Sequence, residues 1–192
     1  MNLHKFFVGR TIGFVVVLAV LGIGYFFFGK HFTSTPAPAG PITTFEECVA
    51  AGNPIMESYP RQCASKDGGN FTEHIGNLLE KTDLIRLTNL MPNDTVSSPL
   101  VITGEARGNW YFEASFPIYI TDWDGKIIGE GFATAQSEWM TTNFVPFIAT
   151  LNFNTTEISG NYSKRGTLIL KKDNPSGLPE HDDALEIPVM LK

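Results

Sequence analysis

One loop near the C-terminus of this 192-residue chain concentrates side chains suited to acid/base or metal chemistry. In "PEHDD", His181 lies among Glu180, Asp182 and Asp183. Imidazole and carboxylate groups bind zinc, and a catalytic zinc usually has three protein ligands and one open position. The loop is therefore a candidate site for a metal-assisted hydrolase. The alternative is a solvated turn between two strands, and its Asn, Ser, Gly and Pro neighbours favour that interpretation.

Two pairs of carboxylates suggest a second enzyme chemistry, the cleavage of glycosidic bonds. The pairs are Glu105 with Glu113, and Asp122 with Asp124. Such cleavage needs two carboxyl groups that face a cleft at about 5–10 Å from each other. Asp122 and Asp124 flank a turn, and the other pair lies near strand ends, so we expect all four side chains in solvent. No G-x-S-x-G elbow for a serine nucleophile occurs. The sequence therefore predicts a protein that is not an enzyme and has no cofactor.

Aromatic side chains give a stronger indication of function. Trp110, Tyr111 and Phe112 are consecutive in "NWYFE", and Trp123 lies in "DWDG". Because side chains alternate between the faces of a strand, three consecutive aromatic residues cannot all point inward. Exposed aromatic residues often mark contact surfaces for a partner. We predict a binding surface formed by these four residues, with packing over loop ends as the alternative.

The N-terminus contains an apolar run long enough to anchor the chain. Residues 12–28, "IGFVVVLAVLGIGYFFF", contain no charged residue. A 17-residue helix spans roughly 25 Å, close to the hydrocarbon thickness of a bilayer. Lys5 and Arg10 precede the run, and the positive-inside rule places that tail in the cytoplasm. We predict a single-pass anchor with the rest of the chain outside, and a cleaved signal peptide is the alternative.

Charge separates the two parts of the chain and excludes one class of partner. Three of the 14 basic side chains lie before residue 32, whereas all 20 acidic side chains lie after it. A nucleic-acid surface needs clustered Lys and Arg, so no nucleic acid is expected as a partner.

A short module containing two cysteines follows a Pro-rich linker at residues 33–43. Thr44 and Glu47 form a capping box for a helix from Phe45 to about Ala51. In an oxidising compartment the only two cysteines, Cys48 and Cys63, are expected to pair. The cross-linked module occupies residues 44–75. It would constrain the extended segment 54–60, which suggests a loop resembling those of protease inhibitors as another function.

Beyond Asp83 the period of the hydrophobic pattern is two. Seven short strands separated by turns favour an all-β sandwich of the immunoglobulin type at residues 83–192, and a small barrel is the alternative. The predicted strands are Leu84–Asn89, Leu100–Ala106, Tyr111–Thr121, Lys126–Ala135, Val145–Phe153, Gly166–Lys171 and Ala184–Leu191.

Several motifs occur together in this region. They are Ser98-Pro99-Leu100 with Gly104, "WYFE", Asp124-Gly125, Pro146-Phe147 and Ile187-Pro188-Val189. In combination they resemble a known family, the immunoglobulin-like domain of bacterial spore-germination-associated envelope proteins. The resemblance implies an extracytoplasmic all-β module without an assigned catalytic activity or functional residues. The module with two cysteines is similar to a short element of uncharacterised bacterial proteins.

These observations predict a protein of the bacterial cell membrane with three parts. Residues 1–32 form a cytoplasmic tail and a transmembrane helix, and the disulfide-closed α+β module and the sandwich lie outside. The predicted function is a non-catalytic binding or structural module that holds a cell-wall polymer or another envelope protein near the membrane.

Overall fold

A computed structural model describes residues 40–158, 160 and 162–192. Residues 42–192 form one compact unit. The predicted tail and anchor and most of the predicted linker lie outside the described residues. None of the helices in the described part of the chain has the length and hydropathy needed to cross a bilayer.

The module with two cysteines combines one short helix with a small sheet. Helix α1 (Phe45–Ala50) begins after Thr44, whose side chain accepts a hydrogen bond from the Glu47 backbone N–H. The Glu47 carboxylate accepts hydrogen bonds from the backbone and side chain of Thr43, and hydrogen bonds from Thr43 and from the Thr44 backbone lower its pKa, so the predicted capping at Thr44 extends to Thr43. The antiparallel strands are β1 (Ile55–Met56), β2 (Gln62–Ala64) and β3 (Asn70–Thr72).

The predicted disulfide is confirmed, and it joins α1 to β2. Cys48 and Cys63 have a Cα–Cα separation of 6.1 Å, and both are fully buried. They pack with Phe45, and Ile42, Val49 and Phe71 surround them. Because this cluster is so small, the cross-link must supply much of the stability of the module.

Replacing both cysteines with serine is expected to lower the free energy of unfolding of the module by about 3 kcal/mol, because the 15-residue loop is no longer closed in the unfolded chain. Hydrogen exchange of β2 and β3 amides would measure the loss, with the amides of the sandwich as the internal control. Unchanged protection of β2 and β3 would contradict the expectation.

Eight strands form the second part of the compact unit. In the order of hydrogen bonding along the sheet they run β4-β6-β9-β8-β7-β10-β11-β5. The strands are β4 (Ile85–Leu87), β5 (Thr95–Val96), β6 (Leu100–Arg107), β7 (Ser115–Asp122), β8 (Ile127–Ala135), β9 (Phe144–Leu151), β10 (Arg165–Lys171) and β11 (Ala184–Leu191).

The sheet folds over on itself to enclose one core. Strands β8 and β9 pair only through Thr134–Ile148 and Ala135–Phe147, so the sheet turns a corner there. The Phe116 ring of β7 meets the Phe147 ring of β9 edge-on at 5.1 Å between centroids. The order of strands has two ends and does not close into a barrel. The predicted all-β sandwich of the immunoglobulin type is therefore confirmed.

The free edge of β11 is covered by residues that precede the sandwich. Strand β5 pairs with β11 only at Met190 and Leu191. Farther along, the Asn77 backbone N–H donates to the Glu186 carbonyl, while the Asn77 side chain accepts from the Glu186 N–H and donates to the Ala184 carbonyl. Asn77 thus imitates a strand neighbour and protects an edge that would otherwise be open to pairing. The one-turn helix α2 (Leu78–Lys81) follows it.

Candidate functional site

The acidic loop after β10 uses its carboxylates to hold itself in place. Asp182 accepts a hydrogen bond from the Asn174 side chain at 2.9 Å, which lowers the pKa of Asp182. Asp183 forms an ion pair with Lys81 of α2, with 2.5 Å between Oδ1 and Nζ. His181 and Glu180 are exposed in a 3₁₀ turn. Among the described residues, no group of three or more His, Cys, Asp and Glu side chains is placed to hold a metal ion.

The carboxylate pairs have structural partners of their own. Asp122 is only 2% exposed, so the expectation that it lies in solvent is wrong. Its Oδ1 accepts from the backbone N–H of Asp124 and of Lys126, at 3.0 and 2.9 Å, and thereby closes the β7–β8 hairpin. Glu105 lies 3.3 Å from the guanidinium of Arg86. Asp122 therefore holds the backbone of a turn, and Glu105 holds a side chain of the neighbouring strand β4.

Two of the four aromatic residues predicted at the binding surface are buried. Trp110 and Tyr111 are 1% and 3% exposed, so their assignment to an exposed surface is wrong. The Tyr111 hydroxyl donates to the Val145 carbonyl at 2.7 Å, and burial raises the pKa of that phenol. Side chains do not alternate between two faces here, because Gly108–Trp110 is a 3₁₀ turn and β7 begins only at Ser115.

Phe112 and Trp123 are exposed, at 41% and 42%, but they cannot form one surface. Phe112 precedes β7 and Trp123 follows it. An eight-residue strand is about 27 Å long, so the two rings lie at opposite ends of the sandwich. Phe112 and Trp123 therefore belong to two separate exposed sites.

The first site is a tight turn that exposes Phe112. Phe112 and Ser115 exchange two backbone hydrogen bonds, of 3.0 and 3.1 Å, around Glu113 and Ala114. Both central residues have positive φ, 51° and 61°. Two-residue turns of this kind usually use Asn-Gly, because a side chain in the left-handed region costs roughly 1–2 kcal/mol. The absence of that signal is why the sequence did not predict the turn.

The second site pairs Trp123 with a residue distant in sequence. The rings of Trp123 and Tyr162 meet edge-on, with centroids 6.0 Å apart and an interplanar angle of 82°. Tyr162 is 85% exposed. Strand β10 brings the two together, because Gly166 pairs with Asp122 across the sheet. No local pattern in the sequence could reveal this pair.

The segment 54–60, predicted as an inhibitor-like loop, lies at the surface of the module. Ile55, Met56 and Tyr59 are 42–49% exposed. Ile55 and Met56 pair with β2 as an edge strand. Beside them, the Arg61 guanidinium binds the Glu73 carboxylate through two hydrogen bonds. The segment is thus accessible and fixed at both ends.

Comparison with known proteins supports the assignment of the sandwich. No curated protein and no solved structure is significantly similar to the chain. A family model, Gmad2, matches residues 84–174, which include β4 to β10. Over those residues the chain is similar to the immunoglobulin-like domain of bacterial spore germination, as its motifs predicted.

Proposed function

We propose that the protein is a membrane-anchored, extracytoplasmic, non-catalytic module that binds a cell-wall polymer or another envelope protein. The immunoglobulin-like sandwich supports a module of this class, and the family match suggests an association with the bacterial envelope. The apolar run at residues 12–28 and the basic residues before it support the anchor and the orientation.

The observation that carries the binding proposal is the turn at residues 112–115. It exposes an aromatic ring, and its backbone conformation is one that Glu and Ala adopt only at a cost. Strain of this kind persists where the surrounding structure enforces it, and it clusters at functional sites. We therefore assign Phe112 as the centre of the contact with the polymer or protein partner.

The non-catalytic part of the proposal is supported by the contacts of the candidate catalytic groups. Asp122, Asp182 and Asp183 each hold a hairpin, a loop or a neighbouring helix. A general acid or base needs a carboxyl group that is available to a substrate. The side chains in question instead have their oxygens turned toward protein groups.

Replacing Phe112 with alanine is expected to reduce retention of the full chain on purified peptidoglycan sacculi by about tenfold, the effect of losing an aromatic contact worth about 1–2 kcal/mol. Co-sedimentation of the detergent-solubilised protein measures it, and cross-linking to envelope proteins tests the other partner class. Tyr162→Ala is the matched control, because Tyr162 is 85% exposed and its ring contacts Trp123, at the opposite end of β7 from the turn. Equal retention and cross-linking of both variants and the unmodified protein would reject the contact.

A further inference from the structure

The end of the sandwich that carries Phe112 is formed by three segments, which we call the loop end. They are the turn 112–115 and the loops 136–143 and 172–183. Strand β7 begins at the turn, and its pairing with β8 and β10 places the last residues of both strands beside that beginning. The turn therefore lies between two loops, one from each neighbouring strand of β7.

Each segment of the loop end exposes one large apolar side chain. Phe112 is 41% exposed, Met140 in the loop 136–143 is 74% exposed, and Leu178 in the loop 172–183 is 48% exposed. A single exposed apolar residue is ordinary, whereas a group of them beside polar residues marks a contact surface. Met140 and Leu178 therefore extend the contact proposed at Phe112.

Both loops are held in place by contacts within the protein. The Gly108 N–H donates to the Asn143 carbonyl, and the partly buried Trp139 packs against the core. In the other loop, the Asp173 N–H donates to the Trp110 carbonyl at 3.0 Å. A partner that meets a preformed surface loses less binding free energy to the ordering of loops.

The loop end also contains a buried donor without an acceptor. Trp110, just before the turn, is 1% exposed, and its indole Nε1 has no hydrogen-bond partner among the described residues. Buried polar groups in folded proteins are nearly always paired, and exceptions to such rules concentrate at functional sites. This end of the sandwich is therefore not optimised for stability alone.

Acidic side chains exceed cationic ones at the loop end after the ion pairs are counted. The pairs join Lys171 with Asp182, Lys81 with Asp183, and Arg86 with Glu105 and Asp83. Two cations remain, Arg107 and Lys172, and their side chains donate to backbone carbonyls. Five acids have no cationic partner among the described residues: Glu80, Glu113, Glu138, Asp173 and Glu180. The three apolar side chains thus lie on a surface with an excess of negative charge.

We propose that the loop end binds a cationic, partly apolar segment of another envelope protein. Its apolar side chains would contact the three exposed ones, and its Lys or Arg side chains would lie beside Glu113, Glu138 and Glu180. Apolar anchors supply most of the affinity of such contacts, and complementary charge adds specificity and speeds association. The inference rests on the proposed contact at Phe112 and narrows its partner. A wall polymer whose free groups are mainly carboxylates or phosphates would meet like charge here and bind less well.

Two synthetic peptides test the charge of the occupant. A labelled peptide of Leu, Lys and Gly, and its counterpart with Glu in place of Lys, are titrated with the detergent-solubilised full chain. Fluorescence anisotropy measures binding, with protein-free micelles as the blank. We expect the Lys peptide to bind about tenfold more tightly than the Glu peptide, and added salt to reduce the difference because it screens exposed charges. Equal affinities of the two peptides would overturn the proposal.

Variants of the loop end show where the Lys peptide binds. Glu113→Gln combined with Glu180→Gln is expected to weaken its binding about tenfold, through the loss of two exposed ion pairs, and Phe112→Ala should weaken it by a similar factor. Asp124→Asn is the matched control, because Asp124 is an exposed acid in the turn at the other end of β7, and Asn-Gly preserves that turn. An equal loss in the control would mean that net charge attracts the peptide, and would contradict the assignment to the loop end.

Sacculi and the Lys peptide together separate this inference from the proposed function. Binding of the Lys peptide that depends on Phe112, with release of the full chain from any sacculi that retain it, would support both. If retention on sacculi depends on Phe112 but the Lys peptide neither binds nor competes, the proposed function stands and the inference is wrong. If Phe112→Ala changes neither retention, cross-linking nor peptide binding, both are overturned.

Discussion

Replacing Gly76 with alanine is expected to lower the free energy of unfolding by about 3–5 kcal/mol. Gly76 has a φ of +68°, where a side chain costs roughly 1–2 kcal/mol. A Cβ atom at this position would also lie 1.8 Å from the Glu186 carbonyl oxygen. To relieve this clash, β11 and Asn77 would have to separate, which would break the three hydrogen bonds that join them. The substitution should therefore open the covered edge of the sandwich.

Gly177→Ala is the matched control for this prediction. Gly177 has nearly the same φ, +67°, but an added Cβ would meet nothing within 4 Å. We expect a loss of only about 1–2 kcal/mol, from the backbone conformation alone. Denaturant unfolding followed by circular dichroism measures both variants. Equal losses would show that the contact with β11 contributes nothing, and would contradict our account of Asn77.

The order and type of the large strands were predictable because each depends on a local pattern. The seven predicted strands correspond to β4 and β6 to β11, and the predicted helix of the module ends within one residue of α1. Strand β5 was missed because Thr95–Val96 is too short to show a period of two. Its pairing with β11 is parallel and distant in sequence, so only the folded chain defines it.

The candidate sites were less predictable, because exposure depends on tertiary packing. The predicted alternation of inward and outward side chains was extended to Trp110 and Tyr111, but a 3₁₀ turn interrupts the alternation and both side chains lie in the core. The turn at Asp124-Gly125 was predictable because glycine readily adopts the positive φ of tight hairpins, and Gly125 has a φ of 82°. The role of Asp122 in closing that hairpin was not predictable, since the sequence cannot show which carboxylate accepts hydrogen bonds from the backbone of the turn.

Replacing Arg61 with methionine is expected to lower the free energy of unfolding at pH 7 by about 2–3 kcal/mol. Arg61 donates to both oxygens of Glu73, at 2.8 and 2.5 Å, and the Glu73 side chain is only 6% exposed. Without the guanidinium, the buried carboxylate loses its cationic partner and keeps the hydrogen bonds from Asn93 and from the backbone of residue 61. The loss stays below the 3–5 kcal/mol of a wholly buried pair because Arg61 is half exposed, so water can replace part of it.

The location of this pair explains why the loss should affect more than the module. Arg61 follows the segment 54–60 and precedes β2, whereas Asn93 lies before β5 and its backbone N–H donates to the Pro188 carbonyl of β11. Glu73 therefore joins the module to the sandwich through one carboxylate. Arg165→Met is the control, because the Arg165–Glu46 pair is 48% and 43% exposed and should contribute less than about 1 kcal/mol.

The pH dependence of the loss in stability distinguishes a lost ion pair from a packing defect. Hydrogen bonds from Arg61 hold the pKa of Glu73 below its usual value of about 4.3, even though burial opposes the shift. A lowered folded-state pKa adds stability that is fully present above the unfolded value and is lost as the pH falls through the folded one. In Arg61→Met that contribution is removed, and burial raises the pKa of Glu73 instead. The difference in unfolding free energy between the two proteins should therefore be largest near pH 7 and shrink toward pH 3.

The double variant Arg61→Met with Glu73→Gln should recover much of the stability at pH 7, because the buried charge is gone. A difference that is constant from pH 7 to pH 3, with no recovery in the double variant, would mean that Arg61 acts through the contact of its guanidinium with the Phe45 ring and not through the carboxylate.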